Sequence, residues 1–455
     1  MKLNASDRKQ LIPLIMAAFI SPFMGSALNL SVPSMASEFS AGAVSMGWII
    51  TSYLLTSTAL MVPVGRFADL YSKKKVFTAG TIVFAVFSAL CAFSVNIQML
   101  IIFRLFQGVG GGMLFATNSA IIAENFPASI RGRLMGFSVM FTYLGLSLGP
   151  VVGGLLNHLL GWRSIMLVTA VYGIPMIIVS FKFITEKKAP EKTGDSSMDL
   201  SGCVLYAVAS AALLYGLTDF TTYTYAKVIF FCSFILLFIF VRHELRVDMP
   251  VLDLRIFTES RAFTLSNVAA LLNYGASFSI SYMMSIYLQS IRGMSSAMAG
   301  IVLITTPVVQ AALSPLAGRL SDKYSPYVLA SAGMSLTCAG IVMLIFTRAD
   351  TPMAYLLAAF AVTGLGFAFF SSPNSNAIMS SVKPDRYGVA SSVMSTSRTV
   401  GQTASMAIVT MIIGAVVGNI AIEDAGTDLI LTTIHITFIV CAVLSGIGIA
   451  CSASR

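Results

Sequence analysis

The sequence has little charge for its length. Of its 455 residues only 10% are Asp, Glu, Lys or Arg, and 56% are apolar, whereas soluble proteins carry about 25% charged residues. This apolar excess excludes a soluble enzyme, a disordered chain and a nucleic-acid-binding domain, in spite of a formal net charge of +9. The composition indicates a protein that crosses the lipid bilayer many times, with no nucleic acid as partner.

Side chains that bind metals or catalyse reactions are also scarce. The six cysteines have no paired spacing and lie in or at the ends of apolar segments, and the three histidines are scattered. We therefore predict no disulfide framework, no metal site and no cofactor. A membrane-embedded enzyme would need clustered His, Asp or Cys residues. The sequence contains no Gly-x-x-x-x-Gly-Lys-Ser/Thr loop, which argues against a nucleotide-driven pump.

Long apolar segments are abundant. A helix needs about 20 mainly apolar residues to cross the hydrocarbon core, and these segments lack the alternation that is typical of a β-barrel. We predict an all-α polytopic membrane protein with fourteen transmembrane helices, near residues 12–33, 44–66, 76–95, 98–123, 134–157, 163–184, 200–218, 225–242, 263–290, 296–318, 326–347, 353–379, 387–418 and 429–451.

The positions of Lys and Arg residues support this count, because basic residues collect on cytoplasmic loops. With both termini in the cytoplasm, twenty-two of the 28 basic residues fall inside and four fall outside, while Arg104 and Arg398 lie within spans. One missed span early in the chain would destroy this asymmetry. The sequence predicts a multi-pass protein of the cell membrane with both termini cytoplasmic.

A short internal repeat indicates two homologous halves. Residues 65–72 (GRFADLYS) follow the second span and residues 318–325 (GRLSDKYS) follow the tenth, with five of eight positions identical. The two halves then have the same orientation, as parallel repeats require. We predict an N-terminal six-helix bundle at 1–184, linkers and an inserted helix pair at 185–261, and a C-terminal six-helix bundle at 262–455.

The repeated loops resemble the loop motif of the major facilitator superfamily, and most of the chain resembles its fourteen-helix branch of drug:proton antiporters. The loop residues that carry this resemblance are Gly65, Asp69, Lys73 and Lys74 in the first copy, and Gly318 and Asp322 in the second. Glycine allows a tight exit from a helix, and the acid can cap a helix start or pair with Arg131 or Arg133. The role implied is conformational; the alternative is a fixed turn with lysines that orient the helices.

Two further motifs lie within spans. Arg104 and Gln107 in the fourth span resemble a family motif whose arginine is linked with proton transfer, although this side chain could instead extend to the outer interface. The fifth span resembles the motif associated with exporters of the superfamily, with Gly145, Gly149, Pro150, Gly153 and Gly154. Glycines four residues apart share one face and permit close helix contact, and the proline offers a bend. The resemblance implies export.

The first and thirteenth spans match the branch in part. Asn29 and Pro33 resemble the end of its first-span motif, but the aspartate expected five residues before the asparagine is Met24 here. Arg398, with Gly401 and Gln402, resembles a polar stretch that is typical of the thirteenth span.

Acidic residues are absent from the interior of every predicted span. Export of cationic drugs usually needs a buried carboxylate, so we expect a neutral or positive cavity and a neutral, amphiphilic or anionic substrate. The candidates for proton binding or coupling are Arg104, Glu124 and Arg398. The candidates for lining the cavity are polar residues within spans, namely Asn29, Gln107, Asn118, Asn273, Tyr274, Gln310 and Asn374.

Together the residues and the resemblance predict a secondary active exporter of small amphiphilic or drug-like compounds. We expect it to work by alternating access, to be driven by the proton gradient and to be a monomer. Two alternatives stay open: an importer or facilitator of a small polar nutrient, against which the glycine motif argues, and a membrane-embedded protein that does not transport, such as an enzyme or a receptor.

Overall fold

A computed structural model of the chain describes residues 5–29, 31–39, 43–185, 198–218, 220, 223–294, 296–417 and 426–455. These residues form helices and no strand. The part of the linker at 186–197 lies outside the described residues, as does the side chain of Asn29. The helices are α1 Ala5–Asn29, α2 Val32–Phe39, α3 Ala43–Leu70, α4 Lys73–Ala92, α5 Ile97–Asn125, α6 Ala128–Leu160, α7 Arg163–Phe183, α8 Leu200–Thr218, α9 Thr224–Glu244, α10 Arg255–Glu259, α11 Arg261–Ser277, α12 Ile280–Ile286, α13 Ser296–Leu303, α14 Thr305–Ser321, α15 Pro326–Ile345, α16 Met353–Ser380, α17 Tyr387–Val416 and α18 Thr427–Ala453.

Thirteen helical segments in the described part of the chain are long and apolar enough to cross a membrane. The remaining predicted span, 263–290, is interrupted: α11 ends at Ser277, α12 begins at Ile280, and a π-helical turn follows at Tyr287–Ile291. At the break the amide of Ser279 donates to Oγ of Ser405 at 3.1 Å. A broken helix is tolerated within a membrane where neighbouring helices supply such partners. The all-α polytopic prediction is confirmed, with the ninth span as a broken helix.

Local capping residues fix several helix starts. Oγ of Ser72 accepts from the amide of Lys75 at 3.1 Å, and Oδ1 of Asn96 accepts from the amide of Met99 at 2.8 Å. Side-chain acceptors of this kind satisfy amides that have no partner inside the helix. The caps place the starts of α4 and α5 at opposite ends of the bundle.

Large apolar side chains cover the outward faces of the helices. On α9, for example, Phe231 is 61% exposed and Phe238 is 63% exposed. A soluble protein rarely leaves contiguous apolar surface of this extent uncovered. The lipid bilayer is therefore the partner of these faces, and the protein is a multi-pass membrane protein.

The helices pack as two groups with a pair beside them. In the first group α1 packs on α6, and α3 and α4 pack on α5; in the second α15 packs on α16 and α18, and α11 packs on α17. The two groups meet where α6 contacts α14 and where α3 and α5 contact α17. The pair α8 and α9 packs together, and α8 contacts α3 and α17. The pair therefore lies beside the junction of the two groups.

Candidate functional site

A cavity of about 100 Å³ lies between the two groups of helices. No Asp or Glu is among the described residues that line it. Pockets for drug-sized ligands occupy about 300–1,000 Å³, so the cavity must widen to take a ligand of that size. The polar lining residues are Ser21, Asn118, Ser119, Ser138, Thr142, Tyr143, Tyr274, Ser371, Asn374, Ser375, Ser395 and Arg398.

Arg398 brings a positive charge into this cavity. It is the twelfth residue of α17, roughly 17 Å from the helix start at about 1.5 Å per residue, which is well inside the apolar span Pro384–Val416. Its guanidinium carbon lies 5.2 Å from the ring centre of Tyr274 on α11 and 6.0 Å from that of Tyr143 on α6. Cations are attracted to such aromatic faces. Side chains from both helix groups therefore surround one cation.

Hydrogen bonds organise the wall of the cavity around Arg398. The hydroxyl of Tyr274 lies 3.3 Å from Oγ of Ser371, which also accepts from Nε2 of Gln310 at 3.4 Å. Nδ2 of Asn118 donates to Oγ of Ser138 at 3.1 Å, whereas Oδ1 of Asn118 has no hydrogen-bond partner among the described residues. The wall thus contains an unused but buried acceptor in addition to the guanidinium.

Asn374 connects the cavity to a second cation. Its Oδ1 accepts from Nη1 of Arg455 at 2.8 Å, and its Nδ2 donates to the carbonyl of Ser266 at 3.2 Å. The C-terminal arginine is therefore separated from the cavity by one side chain. Both arginines make the potential inside the cavity more positive.

The cavity-lining candidates named from the sequence divide into two sets. Asn118, Tyr274 and Asn374 line the cavity. Gln310 lies behind Ser371, and Asn273 is buried with neither polar side-chain atom bonded to any described residue. Gln107 lies elsewhere, inside the first group of helices.

Arg104 also lies away from the cavity and is only 1% exposed. Its Nε donates to the carbonyl of Ile49 at 2.9 Å, and its Nη1 donates to Oε1 of Gln107 at 2.7 Å and to the sulfur of Met24 at 3.4 Å. The guanidinium also stacks over the ring of Tyr53 at 4.7 Å. The side chain does not extend to the outer interface, because α1, α3 and α5 enclose it.

The first loop motif joins the two groups at the end of the bundle that contains the α3–α4 connection, hereafter the basic end. The carboxylate of Asp69 accepts from the amides of Gly388 at 2.8 Å and Val389 at 2.9 Å, in the first turn of α17. Nζ of Lys73 lies 2.9 Å from Asp69 and 3.2 Å from Glu124. Carboxylates favour helix N-termini because the amides there lack partners. Glu124 therefore belongs to this cluster and not to the cavity.

The second loop motif makes the equivalent contact in the other direction. The carboxylate of Asp322 at the end of α14 accepts from the amides of Gly132 at 2.6 Å and Arg133 at 2.9 Å, near the start of α6. Arg131 donates to the carbonyl of Ala123 at 2.8 Å instead. The alternative in which Asp69 pairs with Arg131 or Arg133 is thus not seen among the described residues, although Arg131 stacks over the ring of Tyr387 at 5.4 Å beside the first crossing. Lys74 lies partly exposed beside Lys73.

Glycines allow the backbones to meet at both crossings. A Cβ at Gly65 would lie 2.6 Å from the carbonyl oxygen of Gly388, and a Cβ at Gly132 would lie 2.7 Å from that of Gly318. Real Cβ atoms do not approach other atoms so closely. The two crossings close the bundle at the basic end.

The glycines of the exporter-associated motif pack α6 against α1. A Cβ at Gly149 would lie 2.8 Å from the carbonyl oxygen of Phe23, a Cβ at Gly153 would lie 2.5 Å from Cβ of Ala27, and one at Gly145 would overlap the carbonyl of Phe19. The motif therefore lies within the first group. Gly154 is half-buried and Pro150 is exposed, and α6 continues through both without interruption.

Reasoning from the sequence missed Tyr143, which completes the aromatic pair around Arg398. It lies two residues before Gly145 on a span that is apolar nearly throughout. A tyrosine at mid-span, where its hydroxyl needs a partner, was the available signal.

Comparison with known proteins agrees with this architecture. The Major Facilitator Superfamily model matches residues 14–254 and 267–454. The Riboflavin transporter RibZ of Clostridioides difficile is 30% identical over 389 residues, which cover 85% of this chain and 84% of that protein. The Multidrug resistance protein Stp of Mycobacterium tuberculosis is 27% identical over 419 residues (90% and 77%), and the Multidrug transporter protein MdtP of Bacillus subtilis is 26% identical over 413 residues (90% and 75%).

Two solved structures share the fold at low sequence identity. The human organic anion transporter MFSD10 (TETRAN) superposes with a TM-score of 0.68 at 14% identity, covering 97% of this chain and all of that one. The proton:xylose symporter XylE gives a TM-score of 0.66 at 13% identity, covering 96% and 94%. With the family model matching most of the sequence, the chain is a transport protein of the major facilitator superfamily, similar to multidrug transporters, and not an enzyme.

Proposed function

We propose that this transporter exports small amphiphilic compounds that are neutral or anionic, by alternating access and with the proton gradient as driving force. The observation that supports the substrate class is the central cavity, in which Arg398 contributes a positive charge and no described lining residue is acidic. A lipophilic cation would meet repulsion there and no compensating carboxylate.

The packing of the helices supports an assignment of the moving parts. We assign residues 1–184 and 262–455 to two bundles that rock about the cavity, with 185–261 as linkers and an inserted pair, in a monomeric protein. The basic end is assigned to the cytoplasm, because Lys and Arg concentrate there. With this assignment, the crossings at Asp69 and Asp322 would hold the cytoplasmic entrance shut.

Opening toward the cytoplasm requires both crossings to separate. Each carboxylate would then exchange two backbone amides for water, and Gly65 would part from Gly388. The pairing of α1 with α6 through Gly145, Gly149 and Gly153 would persist, because it lies within one bundle. The two acids thus act as conformational contacts and do not touch the substrate.

Export and proton coupling rest on the sequence motifs and on two relatives. Stp and MdtP are named as multidrug proteins, and the fifth-span glycine motif resembles that of exporters. We retain Arg104 and Glu124 as the coupling candidates, because both lie in polar clusters that differ from the substrate cavity. The third candidate, Arg398, lines that cavity, and we reassign it to substrate binding.

Transport by purified protein in proteoliposomes tests the proposal. With an acidic lumen and an alkaline medium, outward proton flow should drive uptake of a neutral or anionic amphiphile into vesicles, and a protonophore should abolish the accumulation. Vesicles without protein give the background. Uptake that is unchanged by the protonophore would contradict the proton coupling. If ethidium-like cations are transported best, the proposed substrate class is wrong.

A second candidate function is the transport of a planar heterocycle such as riboflavin. It is favoured by the relative named as a riboflavin transporter, at 30% identity, and by the tyrosines at 143 and 274 in the cavity, since aromatic rings stack on such side chains. Including riboflavin in the same assay discriminates the two. Inward movement without a pH gradient would favour an importer or facilitator.

A further inference from the structure

We propose that Arg398 binds the acidic group of an organic anion in the central cavity, between Tyr143 and Tyr274. The inference rests on the proposed function only in taking the bound anion to be the transported compound. The subsite itself is carried by the geometry of three side chains from both groups of helices.

The guanidinium of Arg398 presents hydrogen-bond donors without acceptors. Its contacts are the ring of Tyr274 at 5.2 Å and the ring of Tyr143 at 6.0 Å. Within the described residues no carboxylate or carbonyl accepts its N–H groups, and the cavity lining contains no Asp or Glu. A guanidinium has five N–H donors in a planar fork that matches the two oxygens of a carboxylate. The ligand therefore supplies the acceptors that the N–H groups of Arg398 lack among the described residues.

Arg104 provides an internal comparison, because it is the other arginine within a span. Its Nε and Nη1 donate to the carbonyl of Ile49, to Gln107 and to Met24, at 2.9, 2.7 and 3.4 Å. It is enclosed and does not line the cavity. The same side chain is thus used in two ways, internally bonded at position 104 and available for a ligand at position 398.

The rest of the cavity indicates what the anion carries. An apolar part of the wall suits an apolar ligand body, and its larger side chains are Leu114, Phe115, Val139, Phe370 and Met394. Oδ1 of Asn118 is buried without a described partner, and it becomes available to an N–H or O–H group of the ligand when the cavity widens. Arg455, bonded to Asn374 at 2.8 Å, adds a second positive charge behind the wall. These features together select an amphiphilic organic anion.

Position also gives the anion a part in the conformational cycle. Tyr143 lies on α6 and Tyr274 on α11, so a ligand on Arg398 contacts both bundles. A ligand that contacts both bundles favours the conformation in which both can reach it. Binding therefore shifts the balance between two conformations.

Binding of three matched probes to the detergent-purified full chain tests the subsite. The probes are 1-naphthoate, its neutral methyl ester and the cation 1-naphthylmethylammonium, with dissociation constants from equilibrium dialysis. The proteins are wild type, Arg398→Gln, Arg398→Lys and the control Arg348→Gln, which removes the charge of an exposed arginine. Size-exclusion profiles verify folding.

We expect wild type and Arg348→Gln to bind naphthoate about tenfold or more tightly than the ester, and the cation most weakly. Arg398→Gln should lose about tenfold in naphthoate affinity and keep its ester affinity, and Arg398→Lys should lie between, because it keeps the charge without the fork. If Arg398→Gln does not fold, Arg398→Lys decides the question. A lower affinity for naphthoate with unchanged ester affinity supports the subsite, and unchanged naphthoate affinity overturns it. Equal naphthoate binding by folded Arg398→Gln and wild type overturns the subsite.

Two further measurements distinguish an inorganic ion from the organic anion, and binding from transport. Displacement of naphthoate by equimolar chloride would assign Arg398 to an inorganic ion and overturn the proposal, whereas naphthoate binding that resists chloride supports the organic anion. Equilibrium dialysis needs no gradient and therefore measures binding separately from transport. If the protein binds naphthoate through Arg398 but moves no probe into vesicles, the subsite is supported and the proposed transport function is wrong. If Arg398→Gln transports the probe at an unchanged rate, the proposed transport function is supported and the subsite is overturned.

Discussion

Nη1 of Arg104 donates to the thioether sulfur of Met24 at 3.4 Å, across 80 residues of sequence. Met24 occupies the place where the resembled first-span motif has an aspartate. The buried guanidinium therefore has neutral acceptors, in Met24, Gln107 and Ile49, instead of a carboxylate. The stability of a buried charge without a counter-ion depends on each of its hydrogen-bond acceptors.

Restoring the acid at this place should stabilise the protein. We expect Met24→Asp to raise the midpoint of thermal unfolding at neutral pH, because it gives a counter-charge to an arginine that is already buried, and uncompensated buried charge costs about 3–5 kcal/mol. Met24→Leu is the matched control, since it removes the sulfur without adding charge, and should lower the midpoint slightly. A lower midpoint for Met24→Asp than for Met24→Leu would contradict this expectation.

Arg104 itself should be required for transport but not for insertion. Its fork joins α3 to α5 through Ile49 and Gln107, so we expect Arg104→Ala to reduce the transport rate more than about tenfold, which equals about 1.4 kcal/mol. Transport into proteoliposomes, together with protein yield in membranes, measures the two effects separately. Arg348→Gln serves as the control for loss of one positive charge. Unchanged transport by Arg104→Ala would reject the role.

Each acid at the basic end should protect most strongly the helix start that it caps, although both crossings must separate when this end opens. Asp69→Asn weakens two charge-assisted bonds to α17, each worth about 1.5–3 kcal/mol, so amide hydrogen exchange should rise at residues 387–392. Asp322→Asn should raise exchange most at residues 130–135 of α6. Each variant is the control for the other. Equal exchange increases at both sites in either variant would show that the acids do not act at the helix starts they contact.

The glycine face of α6 should not tolerate a methyl group. Gly149→Ala places Cβ against Ser26 and 2.8 Å from the carbonyl oxygen of Phe23, so we expect a loss of about 1–3 kcal/mol of stability from overpacking. Gly414→Ala is the matched control, because a Cβ there meets nothing within 4 Å on another helix. The difference in unfolding midpoint in detergent measures the effect. Equal midpoints for the two variants would mean that α1 and α6 can separate without cost.

The inserted pair is joined at the basic end by Asp199 and His243, whose Oδ2 and Nε2 lie 2.8 Å apart. Burial opposes the charge of Asp199, but hydrogen bonds from Ser201, the amide of Gly202 and His243 hold the pKa of its carboxyl below the ordinary value of 3.8. A lowered pKa stabilises the folded state above the ordinary pKa, and this contribution is lost as the pH falls through the lowered value.

Asp199→Asn should therefore lower the unfolding midpoint at pH 7 by the equivalent of about 1–3 kcal/mol. From pH 7 downward, the deficit relative to wild type should shrink once the pH falls below about 4, where the wild-type carboxyl protonates. Thermal scans across this range measure it. The exposed Asp248, changed to Asn, is the control. A deficit that stays constant to the lowest pH would show that the charge of Asp199 does not matter.

Much of the architecture could be predicted from the sequence for reasons of solvation. A bilayer accepts only segments that satisfy their own backbone groups over about 20 apolar residues, so most spans can be found by counting. The repeat at Gly65 and Gly318 showed the two halves. The break at Ser279 could not be found this way, because its partner Ser405 lies on a helix 126 residues away.

The candidate site was only partly accessible to the same reasoning. Arg398, Tyr274 and Asn374 are polar side chains within spans and could be named, whereas Tyr143 was missed and Gln107 was assigned to the wrong surroundings. Spans that are apolar on all sides do not reveal which face meets a neighbouring helix. The rotation of α5 that directs Gln107 toward Ser88, 2.6 Å away, is a property of the packed bundle.

The sequence alone determined that this protein lives in a membrane, that its helices fall into two related halves, and that charge is nearly absent from its interior. These follow from composition and spacing, because lipid penalises any exposed charge or unpaired backbone group wherever it lies. Only the tertiary structure decided that Met24 contacts Arg104, that Asp69 and Asp322 cap helices of the opposite group, and that two tyrosines flank Arg398. Such pairs depend on helix rotation and crossing, which are set by close packing between distant residues.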